Sequence, residues 1–124
     1  MSNRTILIVE DEPDLLDLLR EVLEMHGHTV VGSSSAREAL EVWGKNSTQV
    51  DLLVTDLSLP EKVSGVALAE KLKADKAGLK VIYTSGHDRP FVAEKYALAS
   101  DANFLKKPFN PDALAQAVAE CFKS

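Results

Sequence analysis

The sequence has no second cysteine to pair with Cys121, so no internal disulfide braces it, and a lone thiol fits a reducing, cytoplasmic setting. It has no excess of basic residues either. Lys and Arg number 14 against 19 Asp and Glu, giving a formal net charge of −5 and a pI near 5.1. A surface that neutralises nucleic-acid phosphates needs clustered cations, so direct nucleic-acid binding is not expected. Uninterrupted apolar runs last only a few residues, well short of the roughly 20 that cross a bilayer, which argues against membrane insertion. The opening MSNRT lacks the apolar stretch of a signal peptide. Internal repeats, low-complexity tracts and linkers are also missing. What is present is 124 residues, 45% apolar and 27% charged, the composition of one globular domain long enough to bury a core.

Strand and helix signals alternate along it. TILIV at 5–9 is a short run rich in β-branched residues and reads as a buried strand. Pro13 suits the first turn of a helix carrying Leu15, Leu16, Leu18, Leu19, Val22 and Leu23 at helical spacing, and Gly27 supplies a stop. A second strand is expected near 28–32. Ser35 and Glu38 form a capping box that opens a helix to about Lys45. VDLLVT at 50–55 is the third strand. A loop from Asp56 to Ser64 then leads into a third helix, GVALAEKLKA. KVIYT at 80–84 is the fourth strand, and a helix near 90–99 offers Phe91, Val92 and Tyr96 for packing. ANFLK at 102–106 is the fifth strand. Asn110 as cap and Pro111 as first residue start a last helix, to about Phe122.

Alternating strands and helices imply an α/β fold: a five-stranded parallel sheet with helices on both faces. Right-handed crossovers leave few topologies. The order 2-1-3-4-5 is the common one, and its ligand crevice lies at the carboxyl ends of strands 1 and 3. Glu10 and Asp11 end the first strand and Asp56 ends the third, so these carboxylates converge at that crevice. Adjacent like charges at a strand end repel and are poorly solvated, a difficulty that a bound cation resolves. Thr84 and Ser85 arrive from the fourth strand, and Lys106 and Lys107 from the fifth.

The acidic pair in VEDEP, the aspartate in VTDLSLP, the hydroxyl in YTSG and the lysine in KKPF together resemble the receiver domain of two-component response regulators, over nearly the whole chain. Any one of these pieces occurs by chance; all of them in order, each at a strand's carboxyl end, is specific. The resemblance implies a flavodoxin-like receiver fold over residues 1–124, with no output domain, acting in a histidine-to-aspartate phosphorelay. It implies Asp56 as phosphoacceptor, and Glu10, Asp11, Asp56 and the backbone carbonyl of Ser58 as ligands for Mg²⁺ or Mn²⁺. Thr84 is then the hydroxyl that bonds the phosphoryl oxygens, Lys107 the cation that pairs with them, and Thr84 with Phe104 the switch pair. The implied partners are a histidine kinase or histidine phosphotransfer domain and a downstream protein, read by the surface of the fourth helix, fifth strand and fifth helix. The resemblance also implies a signalling acceptor rather than an enzyme, one that assists its own phosphorylation and dephosphorylation.

The physical chemistry of these residues agrees. Mg²⁺ takes oxygen ligands and keeps several waters, and phosphoryl transfer needs an in-line nucleophile and positive charge more than covalent assistance. There are departures from the family pattern. The first acid is Glu10 where Asp is more frequent, and Phe104 has no hydroxyl to offer a partner. The stretch from Asp56 to Gly65 is one residue longer than in chemotaxis-type receivers, which together with YTSGH is more like receivers of hybrid histidine kinase systems. Blander readings stand beside these: solvated first-turn acids at 10–12, a loop cap at Asp56, an ordinary strand residue at Thr84. Lys106 reads as a solvated or partner-facing neighbour, His26, His28 and His87 as surface residues, and Trp43 and Cys121 as helix packing. The alternative function is a phosphorylation-independent interaction module with the same fold. Flavin binding is disfavoured because the EDEP loop repels a phosphate, and a haloacid-dehalogenase-like phosphatase because no Asp-x-Asp follows the first strand.

Overall fold

The computed structural model describes residues 4–123; the first three residues of the MSNRT reading lie outside them. The elements run β1 (Thr5–Val9), α1 (Pro13–Met25), β2 (Thr29–Ser33), α2 (Ala36–Asn46), β3 (Val50–Asp56), α3 (Gly65–Asp75), β4 (Lys80–Ser85), α4 (Arg89–Tyr96), β5 (Asn103–Lys106) and α5 (Pro111–Cys121). All strand pairs are parallel, in the order β2-β1-β3-β4-β5.

Alternation along β1 divides the core in two, because successive side chains point to opposite faces. Leu7 and Val9 meet Leu53, Trp43, Leu68, Leu72 and Val92 on the side of α2, α3 and α4. Ile6 and Ile8 meet Leu52, Val54, Ile82, Leu19, Leu23, Leu114 and Val118 on the side of α1 and α5. Strands buried on both faces read as continuous apolar runs, which is why the sequence shows TILIV and LLV rather than alternation.

The helix ends follow local chemistry. Asn110 accepts from the Asp112 N–H at 2.9 Å and Ser64 from the Ala67 N–H at 3.0 Å, each satisfying a first-turn donor. Gly27 takes a left-handed φ of 91° just past α1. The capping box at α2 is half made. Ser35 Oγ accepts from the Glu38 N–H at 3.1 Å, but the Glu38 carboxylate reaches one residue further back and accepts from the Ser34 N–H at 2.6 Å. Other boundaries differ as well. α4 stops at Tyr96 instead of 99 because Ala97 turns left-handed, with φ 54°. Of its expected packing residues Val92 is fully buried, while Phe91 turns outward. The segment after β3 contains a short 3-10 turn, Pro60–Lys62, in which Glu61 and Lys62 both have positive φ.

Candidate functional site

The carboxyl ends of β1, β3, β4 and β5 lie side by side, and the register fixes what meets there. β1 pairs β3 through Val9 and Thr55, one residue short of Glu10 and Asp56. β3 pairs β4 through Asp56 and Thr84, and β4 pairs β5 through Ser85 and Lys106. The Leu57 N–H donates to Thr84 O at 2.9 Å, the Glu10 N–H to Ser33 O at 3.0 Å and the Lys107 N–H to Ser85 O at 2.7 Å. The backbones carrying the acids and the lysine are thus held by the sheet's own ladder, and the Lys107–Pro108 peptide is cis.

Glu10, Asp11 and Asp56 each bring a carboxylate oxygen into a group whose members all lie within 4.8 Å of one another. Lys107 Nζ donates to both Glu10 Oε1, at 2.8 Å, and Asp56 Oδ2, at 3.0 Å. The second oxygen of Glu10 accepts from the Glu12 N–H at 3.1 Å, and Asp56 Oδ1 lies 3.4 Å from the Ser58 N–H. Glu10 is only 2% exposed, whereas Asp11 is exposed. Burial raises the Glu10 carboxyl above its ordinary range, outweighing the lysine's help, and the neighbouring Asp56 charge pushes the same way. For Lys107 burial pulls the ammonium down, but hydrogen bonds and charge from two carboxylates outweigh it, and its pKa is raised. Lysine and glutamate thus shift in the same direction for different reasons: the ammonium gains from two acids, whereas the Glu10 carboxylate loses more by burial than one shared ammonium returns.

Three carboxylates against one ammonium leave the site short of positive charge. The donors are hard anionic oxygens, the set that suits Mg²⁺ or Mn²⁺, so these residues fit a divalent cation. Ser58 is exposed beside Asp56. Thr84 is 2% exposed and pairs with Asp56 in the sheet register. Phe104 is half-buried against the core on the α4 side, with the Arg89 guanidinium 5.4 Å over its ring.

The remaining singled-out residues fall away from the site. Lys106 pairs with Asp88 at 2.6 Å on the surface, holding the Asp88 carboxyl below its usual range through that hydrogen bond. His87 lies with its ring centroid 4.3 Å from that of Phe91, outside the acid cluster. Trp43 is buried and its Nε1–H donates to Asp75 at 2.9 Å, so it packs as expected but also holds a polar partner. Cys121 is half-buried, its thiol pushed up by burial.

Sequence reasoning missed one residue that shapes the site. Gly65 opens α3, and its N–H donates to Leu57 O at 2.8 Å. A Cβ built there would stand 2.3 Å from the Asp56 carbonyl oxygen. Only glycine lets α3 start this close to the backbone of Asp56. The signal available was the glycine directly after a Ser cap, nine residues beyond the acid.

Comparisons with known proteins bear on this arrangement. A family model described as the response regulator receiver domain matches residues 6–119. The chain is 33% identical over 111 residues to the response regulator SaeR of Staphylococcus aureus, a match covering 86% of this chain and 45% of that protein. It therefore spans less than half the length of that relative. Among solved structures, a response regulator receiver domain protein from Clostridium thermocellum superposes with a TM-score of 0.83 at 28% identity, covering 95% of this chain and 93% of that one. The receiver domain of the hybrid histidine kinase CckA gives 0.80 at 26% identity, with coverage of 96% and 99%. The response regulator TrrA of Thermotoga maritima, crystallised with Mg²⁺ and BeF, gives 0.79 at 28% identity, with coverage of 96% and 99%. The family match runs from the second residue of β1 almost to the end of α5, through every strand end that carries the acids, the hydroxyl and the lysine, and the chain belongs to the response regulator receiver domain family of two-component systems.

Proposed function

We propose that this chain is the phosphoacceptor of a histidine-to-aspartate phosphorelay, taking a phosphoryl group on Asp56. The observation that carries the reading is the placement of Asp56: at the end of β3, its Oδ2 held by Lys107 at 3.0 Å, with Glu10 and Asp11 carboxylates within 4.8 Å. An Asp56 oxygen attacks phosphorus, the new O–P bond forms in line as the N–P bond to the donor imidazole breaks, and the bonding pair leaves on the imidazole nitrogen. Lys107 orients the carboxylate before transfer and pairs with the phosphoryl oxygens after it. Thr84, paired with Asp56 on the neighbouring strand, donates its hydroxyl to the same oxygens. Glu10, Asp11, Asp56 and the Ser58 carbonyl would hold Mg²⁺ or Mn²⁺; when bound, the ion supplies positive charge against the transferring oxygens.

The partners that suit this chemistry are a histidine kinase or a histidine phosphotransfer domain upstream and a downstream protein that reads the face of α4, β5 and α5, with Thr84 and Phe104 as the switch pair. The setting is cytoplasmic. No helix among the described residues is long and apolar enough to cross a membrane, and the lone cysteine needs no oxidising compartment. The test is intact mass after incubation with Mg²⁺ and acetyl phosphate. One added phosphoryl group in the wild type and none in Asp56→Asn supports the reading. Equal uptake by both sinks the assignment, and no uptake by either leaves the phosphorylation-independent interaction module.

A further inference from the structure

Arg89 is the first residue of α4, and its side chain turns back across β5. Its guanidinium donates through Nη1 to Ser100 O at 3.2 Å and through Nη2 to Ala102 O at 2.8 Å, while its centre stands 5.4 Å above the Phe104 ring. One rigid fork therefore ties the start of α4 to the two carbonyls that lead into β5 and caps the aromatic face of the same strand. The surface ion pair of Asp88 with Lys106, at 2.6 Å, adds a second tie between the same two elements. Phe104 has no hydroxyl with which to anchor itself, so among the described residues Arg89 is the cation that grips its ring.

We propose that Arg89 is a clamp that holds Phe104 and the start of β5 in the unphosphorylated arrangement and so opposes the switch. The proposal rests on the phosphoacceptor reading of Asp56. The tie runs from the first residue of α4, five residues after Thr84, to the two carbonyls that lead into β5, the strand whose far end carries Lys107. Any movement of Ser85–Asp88 toward the acceptor, or of Phe104 away from the surface, separates the guanidinium from at least one of its three partners. A contact made in one arrangement and lost in the other is what biases a two-state element. Releasing the clamp raises the fraction of molecules in the switched arrangement, and a ligand that prefers that arrangement then binds more tightly without any new contact.

The test is a titration with beryllofluoride, a phosphoryl mimic, in the presence of Mg²⁺, followed by backbone amide NMR shifts in wild type, Arg89→Leu and Arg89→Lys. The expected result is tighter beryllofluoride binding by Arg89→Leu, about fivefold, at the low end of ordinary coupling between sites. Arg89→Lys keeps the charge but not the fork, and falls between the two. Before any ligand or metal is added, the variant's amides in β5 and α4 shift along the line toward their positions in the wild-type complex. A merely structural role for Arg89 weakens binding or leaves it alone, so unchanged or weaker binding in both variants, with no such displacement of the free amides, overturns the clamp. If wild type itself binds no beryllofluoride, the phosphoacceptor reading falls first, and the clamp with it.

Discussion

Replacing Gly65 by alanine tests how the site is built. The added Cβ would stand 2.3 Å from the Asp56 carbonyl oxygen, 3.1 Å from its carbonyl carbon and 3.1 Å from a Thr55 methyl. These are backbone and buried strand atoms, with no flexible side chain to swing aside. The start of α3 and the end of β3 must part by about 0.7 Å merely to reach a 3.0 Å contact. That separation strains the Gly65 N–H bond to Leu57 O, 2.8 Å long, and the bridge between Ser58 and Ser64. Overpacking of this kind costs about 1–3 kcal/mol, and alanine's better helix propensity returns at most about 1 kcal/mol, so the net is a loss of up to about 3 kcal/mol. Gly44, inside α2 with open space around its would-be Cβ, is the internal control. Gly44→Ala gains the propensity without the clash and is expected to stabilise by about 0.5–1 kcal/mol. Urea denaturation of the two variants reads both numbers, and phosphoryl uptake from acetyl phosphate reads the displacement of Asp56. Gly65→Ala as stable as wild type, with undiminished uptake, refutes the claim that glycine is required there.

Other consequences follow from the same structure. Mg²⁺ at 100 times its dissociation constant stabilises by about 2.7 kcal/mol, a Tm rise of about 10 °C, and Asp11→Ala loses most of that; a wild-type Tm indifferent to millimolar Mg²⁺ counts against the metal site. His28 is held below its ordinary pKa of 6.5, first by burial, and its Nδ1 is buried without a partner. Because the unfolded chain takes up that proton first, the stability involved is present above pH 6.5 and lost as pH falls below it; His28→Gln is expected to flatten stability against pH in that window, read by denaturant midpoints. Asp75→Ala removes the exposed acceptor of the Trp43 indole N–H, which water then replaces, and is expected to cost about 0.5–1.5 kcal/mol; a double-mutant cycle with Trp43→Phe measures how much of that belongs to the pair.

The sheet was legible because its strands are buried on both faces. Ile6 to Val9 and Leu52 to Val54 are continuous apolar runs that leave little room for another reading. Glu10, Asp11, Asp56 and Lys107 were legible as a group because each lies within two residues of a strand's carboxyl end and the topology does the gathering. What was not legible depends on contacts between segments distant in sequence. Nothing in the local chain around Arg89 announces that its fork reaches the carbonyls of Ser100 and Ala102. The left-handed turn at Ala97 that ends α4 early, and the positive φ values of Glu61 and Lys62, fall on residue types that ordinarily avoid that region, so propensity points the other way. Lys107 was expected to meet a phosphoryl group; that it bridges Glu10 and Asp56 follows from the depth of burial of Glu10, a tertiary property.

The central claim is that Asp56 is the nucleophile. The most direct measurement is to treat the protein with acetyl phosphate and Mg²⁺, reduce it with borohydride, which converts an aspartyl phosphate to homoserine, and locate the converted residue by peptide mass spectrometry. Homoserine at position 56 alone is the result this account predicts. Conversion at Glu10, Asp11 or any other acid with Asp56 untouched would contradict it.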